Sequence, residues 1–97
     1  MLILMDALEK IFGKTAQITV LKNLIQHKGE STYLSGIADE TGLSHSSVAR
    51  VIEPLLKADI VTEKRLGKQI RTFSLNLDNE LTLLILEFYD DLARIKV

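Results

Sequence analysis

Apolar side chains recur every three or four residues near the start of the chain, which predicts two amphipathic helices. The first helix covers residues 2–12. The second begins after Thr15, whose hydroxyl is suited to cap it, and ends at Lys28-Gly29. The next segment, residues 31–34, is partly β-forming and predicts a brief strand, and Ser35 is expected to cap the helix that follows.

The central stretch, residues 37–52, predicts two short helices joined by a tight turn. Gly42 lies where the chain must turn, because glycine adopts a left-handed backbone at little cost. Ser44 follows as the N-cap of the second helix. Val48 and Ile52 belong to the buried stripe of that helix, whose opposite face is polar and cationic. These features together are typical of a helix-turn-helix.

The exposed face of the second helix carries residue types that suit the major groove of DNA. A helix that enters this groove uses short hydrogen-bonding side chains in its first turn and a long cation behind them. Ser46, Ser47 and Arg50 fit that description. Helical hairpins that bind no DNA also have an N-cap, a polar face and an interhelical glycine, so the motif alone leaves both interpretations open.

Pro54 lies deep in the same predicted helix, where proline removes an amide donor and costs about 3 kcal/mol. Either the helix kinks there, or it ends near Ile52 and a new turn begins with Pro54 at its first position. Both alternatives leave residues 44–50 intact.

Two β-capable runs flank Leu66-Gly67-Lys68, which predicts a β-hairpin with glycine at its tip. Phe73 and Leu75 lie on one face of the returning strand and are expected to seal the core. The cations around the tip are Lys64, Arg65, Lys68 and Arg71. Cations on an exposed strand also limit aggregation, which is the alternative explanation for them.

A last helix is predicted from about Asp78 to Ile95, with Asp78 or Asn79 as its cap. Its apolar stripe is wider than one small core needs, so we expect a homodimer that uses residues 78–97. The expected interface residues are Leu4, Leu8, Leu81, Leu84, Ile85, Phe88, Leu92 and Ile95. The alternative is that the first and last helices only pack on each other within one subunit.

Length and composition predict a single domain over residues 1–97. The chain has no cysteine, which excludes disulfides, thiolate metal sites and thiol nucleophiles. The apolar start, Met1 to Met5, is too short for a signal peptide or a membrane span. We therefore expect a cytoplasmic protein without a membrane partner.

The net charge of −1 counts mildly against nucleic acid as a partner, since phosphate neutralisation supplies much of the affinity. The charges are, however, unevenly distributed. The cations from Arg50 to Arg71 are Arg50, Lys57, Lys64, Arg65, Lys68 and Arg71, opposed only by Glu53, Asp59 and Glu63. The segment from 78 to 91 carries acidic residues and no cation. A basic face is therefore possible on a nearly neutral molecule.

Nothing in the residue pattern favours an enzyme. His27 and His45, the only histidines, lie on different predicted helices, and no metal-ligand spacing, phosphate loop or nucleophile grouping is present. We expect no catalytic residue, no metal and no cofactor. His45 is either a DNA contact or an exposed residue without a special role.

The order helix, helix, strand, helix, turn, helix, hairpin, helix, with the segments 38–44 and 55–61, resembles the winged helix-turn-helix transcriptional regulators of the MarR and ArsR type. The resemblance implies a mainly α fold with a small β-hairpin (α+β), in which a three-helix core carries a wing and flanking terminal helices. It implies that the helix after Gly42 enters the major groove, the wing contacts phosphates or the minor groove, and terminal helices form a homodimer.

The resemblance implies a sequence-specific DNA-binding regulator whose partner is double-stranded DNA. The implied recognition-helix contacts are Ser44, His45, Ser46, Ser47 and Arg50, and the implied wing contacts are Lys64, Arg65, Lys68 and Arg71. A winged-helix module that binds protein is the alternative, because fold alone does not settle function. The chain lacks the cysteines of thiolate metal sensors and the long helices of MarR-type effector clefts, so the resemblance does not identify an effector.

Overall fold

A computed structural model describes residues 7–95 of the 97-residue chain. The elements in order are α1 (Ala7–Phe12), α2 (Ala16–Gln26), β1 (Thr32–Tyr33), α3 (Leu34–Thr41), α4 (His45–Lys57), β2 (Val61–Leu66), β3 (Ile70–Leu75) and α5 (Glu80–Ile95). The predicted start of the first helix, including Leu4, lies outside the described residues.

The strands form one antiparallel sheet in the order β1-β3-β2. β2 and β3 make the predicted hairpin, in which Leu66 lies opposite Ile70 next to the tip. β1 pairs with the other edge of β3, with Thr32 opposite Phe73. The brief strand predicted from the sequence therefore joins the hairpin as a third strand, a pairing that the sequence did not predict.

The hydrophobic core lies where α2, α3 and α4 meet the sheet. Its largest fully buried side chains include Phe73, Leu24, Ile37 and Ile52. Phe73 is 1% exposed and Leu75 is also buried, so the returning strand closes the core as expected.

The local signals at the turn between α3 and α4 are confirmed. Gly42 ends α3 with a φ of 76°, the left-handed conformation that glycine adopts without a steric penalty. The Ser44 hydroxyl accepts a hydrogen bond from the Ser47 amide at 3.1 Å and so caps α4. Thr15 caps α2 and Asn79 caps α5 in the same manner.

The predicted cap of α3 is wrong. α3 begins at Leu34, and its N-cap is Tyr33, which provides no side-chain hydrogen bond. Tyr33 is held in an extended conformation by its pairing with Thr72 of β3, so the chain turns into the helix directly after the strand. Sheet pairing thus places the start of the helix before Ser35.

Pro54 lies within the last turn of α4, which continues to Lys57, so the alternative in which the helix ends near Ile52 is wrong. The missing proline amide removes one helix hydrogen bond, the one to the Arg50 carbonyl. The Ala58 amide donates to the Pro54 carbonyl at 3.0 Å, and Leu55 and Leu56 pack against the core. This packing holds the last turn in place.

Replacing Gly42 by alanine is expected to lower the free energy of unfolding by about 1 kcal/mol. A Cβ at Gly42 would meet no atom within 4 Å, so the cost comes from the backbone conformation alone. Gly36 of α3 is the matched control, since its Cβ would also meet open space. Gly36→Ala should raise the free energy of unfolding by up to about 1 kcal/mol. Urea unfolding that gives both variants the same sign would contradict the assignment of the turn.

His27, just after α2, links the end of that helix to α3. Its Nε2 lies 2.7 Å from Glu40 Oε1, and its Nδ1 lies 3.0 Å from Glu30 Oε1. Hydrogen bonds to Glu30 and then Glu40 raise the pKa of His27 above 6.5, because the imidazolium can donate to both carboxylates. The pKa of Glu40 is lowered, first by the Asn23 amide and then by His27.

This contact predicts a pH-dependent stability. Because the folded-state pKa of His27 is raised, its stabilisation is fully present below pH 6.5 and is lost as the pH rises through the folded-state pKa. His27→Gln should therefore reduce the fall in unfolding free energy between about pH 6 and about pH 8. His45→Gln, at an exposed histidine, is the control and should keep the wild-type dependence. An unchanged pH profile for His27→Gln in urea titrations would disprove this role.

Candidate nucleic-acid interface

The N-terminal half of α4 presents a polar surface that begins at its cap. We call residues 44–50 the recognition segment. Ser44, His45, Ser46 and Arg50 are exposed, Ser47 is half-buried, and Val48 anchors the segment in the core. The helix therefore places the predicted hydrogen-bonding side chains and the predicted cation on its solvent side.

The serine hydroxyls of this segment form a small hydrogen-bond network in which each serine has a different role. Ser44 Oγ accepts from the Ser47 amide, donates to Ser47 Oγ at 2.9 Å and lies 3.2 Å from Ser46 Oγ. The Ser44 hydroxyl is thereby occupied within the helix cap. The Ser47 hydroxyl keeps its own proton, since it accepts from Ser44, and Ser46 projects into solvent. Ser46 and Ser47 are the serines with groups left for a ligand.

A groove of about 260 Å³ separates the start of α4 from the hairpin. His45 lines it from α4, Ser35 lines it from the first turn of α3, and Gln69 and Arg71 line it from the hairpin. The sequence predicted His45 and Arg71 as separate contacts, and the structure brings them to one groove. Gln69 and Ser35 were not predicted as site residues, because only the pairing of β1 with β3 brings their elements together.

The hairpin carries its cations unequally. Lys64, Arg65 and Lys68 are exposed near the tip. Arg71 is half-buried, donates to Glu63 through both Nε at 2.8 Å and Nη2 at 3.0 Å, and has its guanidinium 5.0 Å from the Phe73 ring centroid. Arg71 is therefore fixed against the sheet, whereas the other three cations face solvent.

Glu63 is the acidic centre of this arrangement. It holds Arg71 in a bidentate ion pair and also lies 3.3 Å from Arg65 Nε. The Arg71 hydrogen bonds lower the pKa of Glu63, and Glu63 in turn raises that of Arg71. Glu53 of α4 adds to the raised pKa of Arg71, so the helix and the hairpin both place a carboxylate near this guanidinium.

Solved structures with the same arrangement include winged-helix transcription regulators of the MarR and ArsR type. The MepR–DNA complex of S. aureus matches with a TM-score of 0.67 and 13% identity over 91% of this chain and 70% of that chain. Reduced HlyU from Vibrio cholerae matches with 0.64 and 14% over 89% and 84%. The transcriptional regulator BldR from Sulfolobus solfataricus matches with 0.62 and 15% over 91% and 61%.

The chain has a winged helix-turn-helix fold. This confirms the predicted fold class, with α3 and α4 as the helix-turn-helix and β2–β3 as the wing. No protein-family model matches the chain, and no curated protein matches it. The chain spans 66% of the length of the chain in a second MepR structure and 61% of that of BldR. At these identities the likeness establishes the fold, and the function must be argued from the site.

The terminal helices flank the winged-helix core, and α1 contacts α5. The centroids of the Phe12 and Phe88 rings lie 6.4 Å apart. The first and last helices therefore pack on each other within one subunit over part of this surface, which was the alternative to a dimer. Leu8 and Leu92 were expected at the surface that forms the dimer. They are instead buried in the chain's own core, with 4% and 8% exposure. Ile85 is half-buried against the same core.

The remaining predicted interface residues stay exposed on α5. Successive residues of a helix are about 100° apart around its axis, so these side chains lie within an arc of about 60° on one face of α5. Along the helix axis they extend over about 21 Å. They are Leu81, Leu84, Phe88 and Ile95. We call these four residues the apolar stripe of α5.

No group of His, Asp or Glu side chains within residues 7–95 is arranged to hold a metal ion. None of the helices in this part of the chain has the length and apolar character needed to cross a membrane.

Proposed function

We propose that the protein is a sequence-specific DNA-binding transcriptional regulator that acts as a homodimer. The observation that carries the proposal is the shared surface of the recognition segment and the wing. His45 of the recognition segment and Gln69 and Arg71 of the hairpin line one groove, so α4 and the wing face each other across it. Both elements also carry exposed polar or cationic side chains. Direct readout of bases and neutralisation of phosphates need these two kinds of group side by side.

The recognition segment supplies the base-reading side chains in this proposal. Arg50 projects from the middle of α4 with a long donor fork that can pair with guanine. Ser46 and Ser47 offer hydroxyls that can donate to or accept from either strand. Ser44 serves as the cap, and His45 faces the groove toward the wing. The winged-helix neighbour MepR has been solved in complex with DNA, which supports the same use of this fold here.

The wing supplies the sequence-independent part of the affinity. Lys64, Arg65 and Lys68 are the phosphate contacts, because all three residues are exposed, and Arg65 makes a single ion-pair contact with Glu63 through Nε. Arg71 has its guanidinium occupied by Glu63, so we assign it to holding the wing in position and to the edge of the groove. Each phosphate contact releases condensed counterions, which makes the affinity depend steeply on salt.

The apolar stripe of α5 forms the homodimer interface in this proposal. Leu84 and Ile95 are 61% and 65% exposed, which leaves an apolar surface uncovered over several helical turns. A symmetric dimer covers it with the same stripe of a second copy, since a two-fold interface uses one patch twice. A two-fold dimer also presents two recognition segments to the DNA.

Leu84→Glu is expected to shift the protein from dimer to monomer, because it buries a charge in the proposed interface. Sedimentation velocity measures the shift. Leu83→Glu is the matched control, since Leu83 is exposed on the same helix about 100° away from Leu84. A wild-type protein that binds DNA as a monomer, or a Leu84→Glu protein that stays dimeric, would contradict the proposed interface.

A winged-helix module that binds another protein is the second candidate. The apolar stripe of α5 favours it, and so do the acidic residues Glu80, Glu87 and Asp91 on the same helix. The two candidates differ in their response to salt. DNA binding through phosphates weakens steeply with added salt, whereas an apolar protein interface does not.

Selection of bound duplexes from a random DNA library tests the proposed function. We expect enrichment of a palindromic sequence whose half-sites lie about 10 base pairs, or one helical turn, apart. A library that shows no enriched sequence, together with no retention on duplex DNA at low salt, would reject DNA binding and favour the protein-binding module.

A further inference from the structure

A polar cleft of about 220 Å³ lies apart from the proposed DNA interface. Its described lining residues come from α1, α2, the turn before α2, and the end of α3. The lining contains both carboxylates and ammonium groups. The volume is below the range of about 300–1,000 Å³ that holds drug-sized ligands, so the cleft fits a small metabolite.

Asn23 of α2 is the first unusual feature of this cleft. The residue is 6% exposed, and its Nδ2 donates to Glu40 Oε1 at 2.9 Å. Its Oδ1 is buried and accepts no hydrogen bond from residues 7–95. Buried polar atoms are almost always paired, so this oxygen calls for a donor. The hydrogen bond from Nδ2 to the Glu40 carboxylate fixes the orientation of the amide. In the flipped orientation the amide oxygen would face a carboxylate oxygen, and both atoms are acceptors.

The two carboxylates of the cleft also keep acceptor capacity. Glu9 Oε1 takes Lys22 Nζ at 2.9 Å, and Glu40 Oε1 takes both Asn23 and His27. All of these contacts use the Oε1 atoms, so they leave the Oε2 atoms of Glu9 and Glu40 for other donors. Together with Asn23 Oδ1, they are acceptors for a group with several N–H donors, such as a primary ammonium.

Lys14 supplies the opposite charge. It lines the cleft from the exposed turn before α2 and makes no ion pair with another residue of the described chain. Lys22 keeps two of its three donors beyond its bond to Glu9. The cleft therefore has free acceptors and free cationic donors within one small volume.

We propose that this cleft binds a small zwitterion of the amino-acid class. Asn23, Glu9 and Glu40 receive its ammonium group, and Lys14 with Lys22 receives its carboxylate. The two carboxylates and two ammonium groups of the lining balance in charge, which suits a ligand that is itself neutral overall. The contact ties α2 to α3 through the same Glu40 that already holds His27.

Calorimetric titration of the full-length protein with each common L-amino acid tests the proposal without DNA, so its outcome is independent of the proposed function. We expect at least one amino acid to bind with a Kd of about 1 mM or tighter. Its N-acetyl derivative lacks the ammonium and its carboxamide lacks the carboxylate, and each should bind about tenfold more weakly or worse.

Variants assign the binding to this cleft. Asn23→Leu removes the unpaired oxygen, and Lys14→Met removes an exposed cation whose loss does not disturb the core. Each should weaken binding of that amino acid about tenfold or more, while Lys28→Met, at an exposed cation outside the cleft, should not. Heat-induced unfolding verifies that each variant is folded. The proposal is overturned if no amino acid binds at a concentration tenfold above the expected Kd of about 1 mM. It is also overturned if the N-acetyl derivative binds as tightly as the amino acid, or if the Lys14→Met variant binds the amino acid as tightly as wild type.

Discussion

Reversing the charges of Arg65 and Lys68 to glutamate is expected to weaken binding to every duplex sequence by a factor on the order of 10³ near 0.1 M salt. Each lost phosphate contact removes about 0.9 from the slope of log affinity against log salt, and a dimer loses four such contacts. The slope should therefore become shallower by about 3 to 4. Fluorescence anisotropy over a salt series measures both quantities.

A charge-matched control separates the wing from net charge. Lys28→Glu with Arg94→Glu changes the net charge equally. Lys28 is exposed just after α2, and Arg94 lies at the end of α5. This control should bind duplex DNA with a salt slope close to that of wild type. Equal losses in the two double variants would attribute binding to overall charge and not to the wing.

Phe73→Ala is expected to destabilise the fold by about 3–5 kcal/mol, the usual cost of deleting a buried aromatic ring. Phe73 is on the central strand β3, opposite Thr32 of β1 and Glu63 of β2, and its ring also carries the Arg71 guanidinium. Its loss therefore leaves a cavity beneath the wing and removes the surface against which Arg71 rests. Urea unfolding monitored by circular dichroism measures the change.

Ile70→Ala is the control for that measurement. Ile70 belongs to the same strand but is 51% exposed, so its truncation should cost about 0.5 kcal/mol or less. Similar losses for Phe73→Ala and Ile70→Ala would mean that the core does not extend under the wing as described.

The parts of the fold that sequence predicted well are those with local causes. The Gly42 turn and the Ser44 cap depend on residues within three positions of each other, and both are formed. The hairpin around Gly67 and the burial of Phe73 also follow from the neighbouring sequence. Alternation of side chains and the conformational preference of glycine are enough to specify such features.

The features that sequence did not predict depend on contacts between distant residues. Ser35 lost its predicted role as a cap because Tyr33 pairs with Thr72, far along the chain. No local pattern reports that pairing. The pairing of Arg71 with Glu63 is likewise set by the register of β2 and β3, so a cation beside the tip turned out to be held by a carboxylate.

The candidate site also has features with local causes and features that depend on contacts between distant residues. The residue types of the recognition segment and the wing could be predicted, because a helix cap and a hairpin turn decide which side chains face outward. The groove that joins His45 to Arg71, and the burial of Leu8 and Leu92, required the tertiary arrangement. Amphipathic periodicity identifies an apolar face but not the surface that covers it.

Library selection repeated with Arg50→Ala tests most directly whether the recognition segment reads DNA sequence. This variant should lose the preferred base at one position of each half-site, at a cost of about 1–3 kcal/mol for the wild-type sequence. Lys57→Ala, at an exposed cation at the other end of α4, should select the wild-type sequence. An Arg50→Ala protein that enriches the same sequence as wild type, with the same preference at every position, would contradict base recognition by the recognition segment.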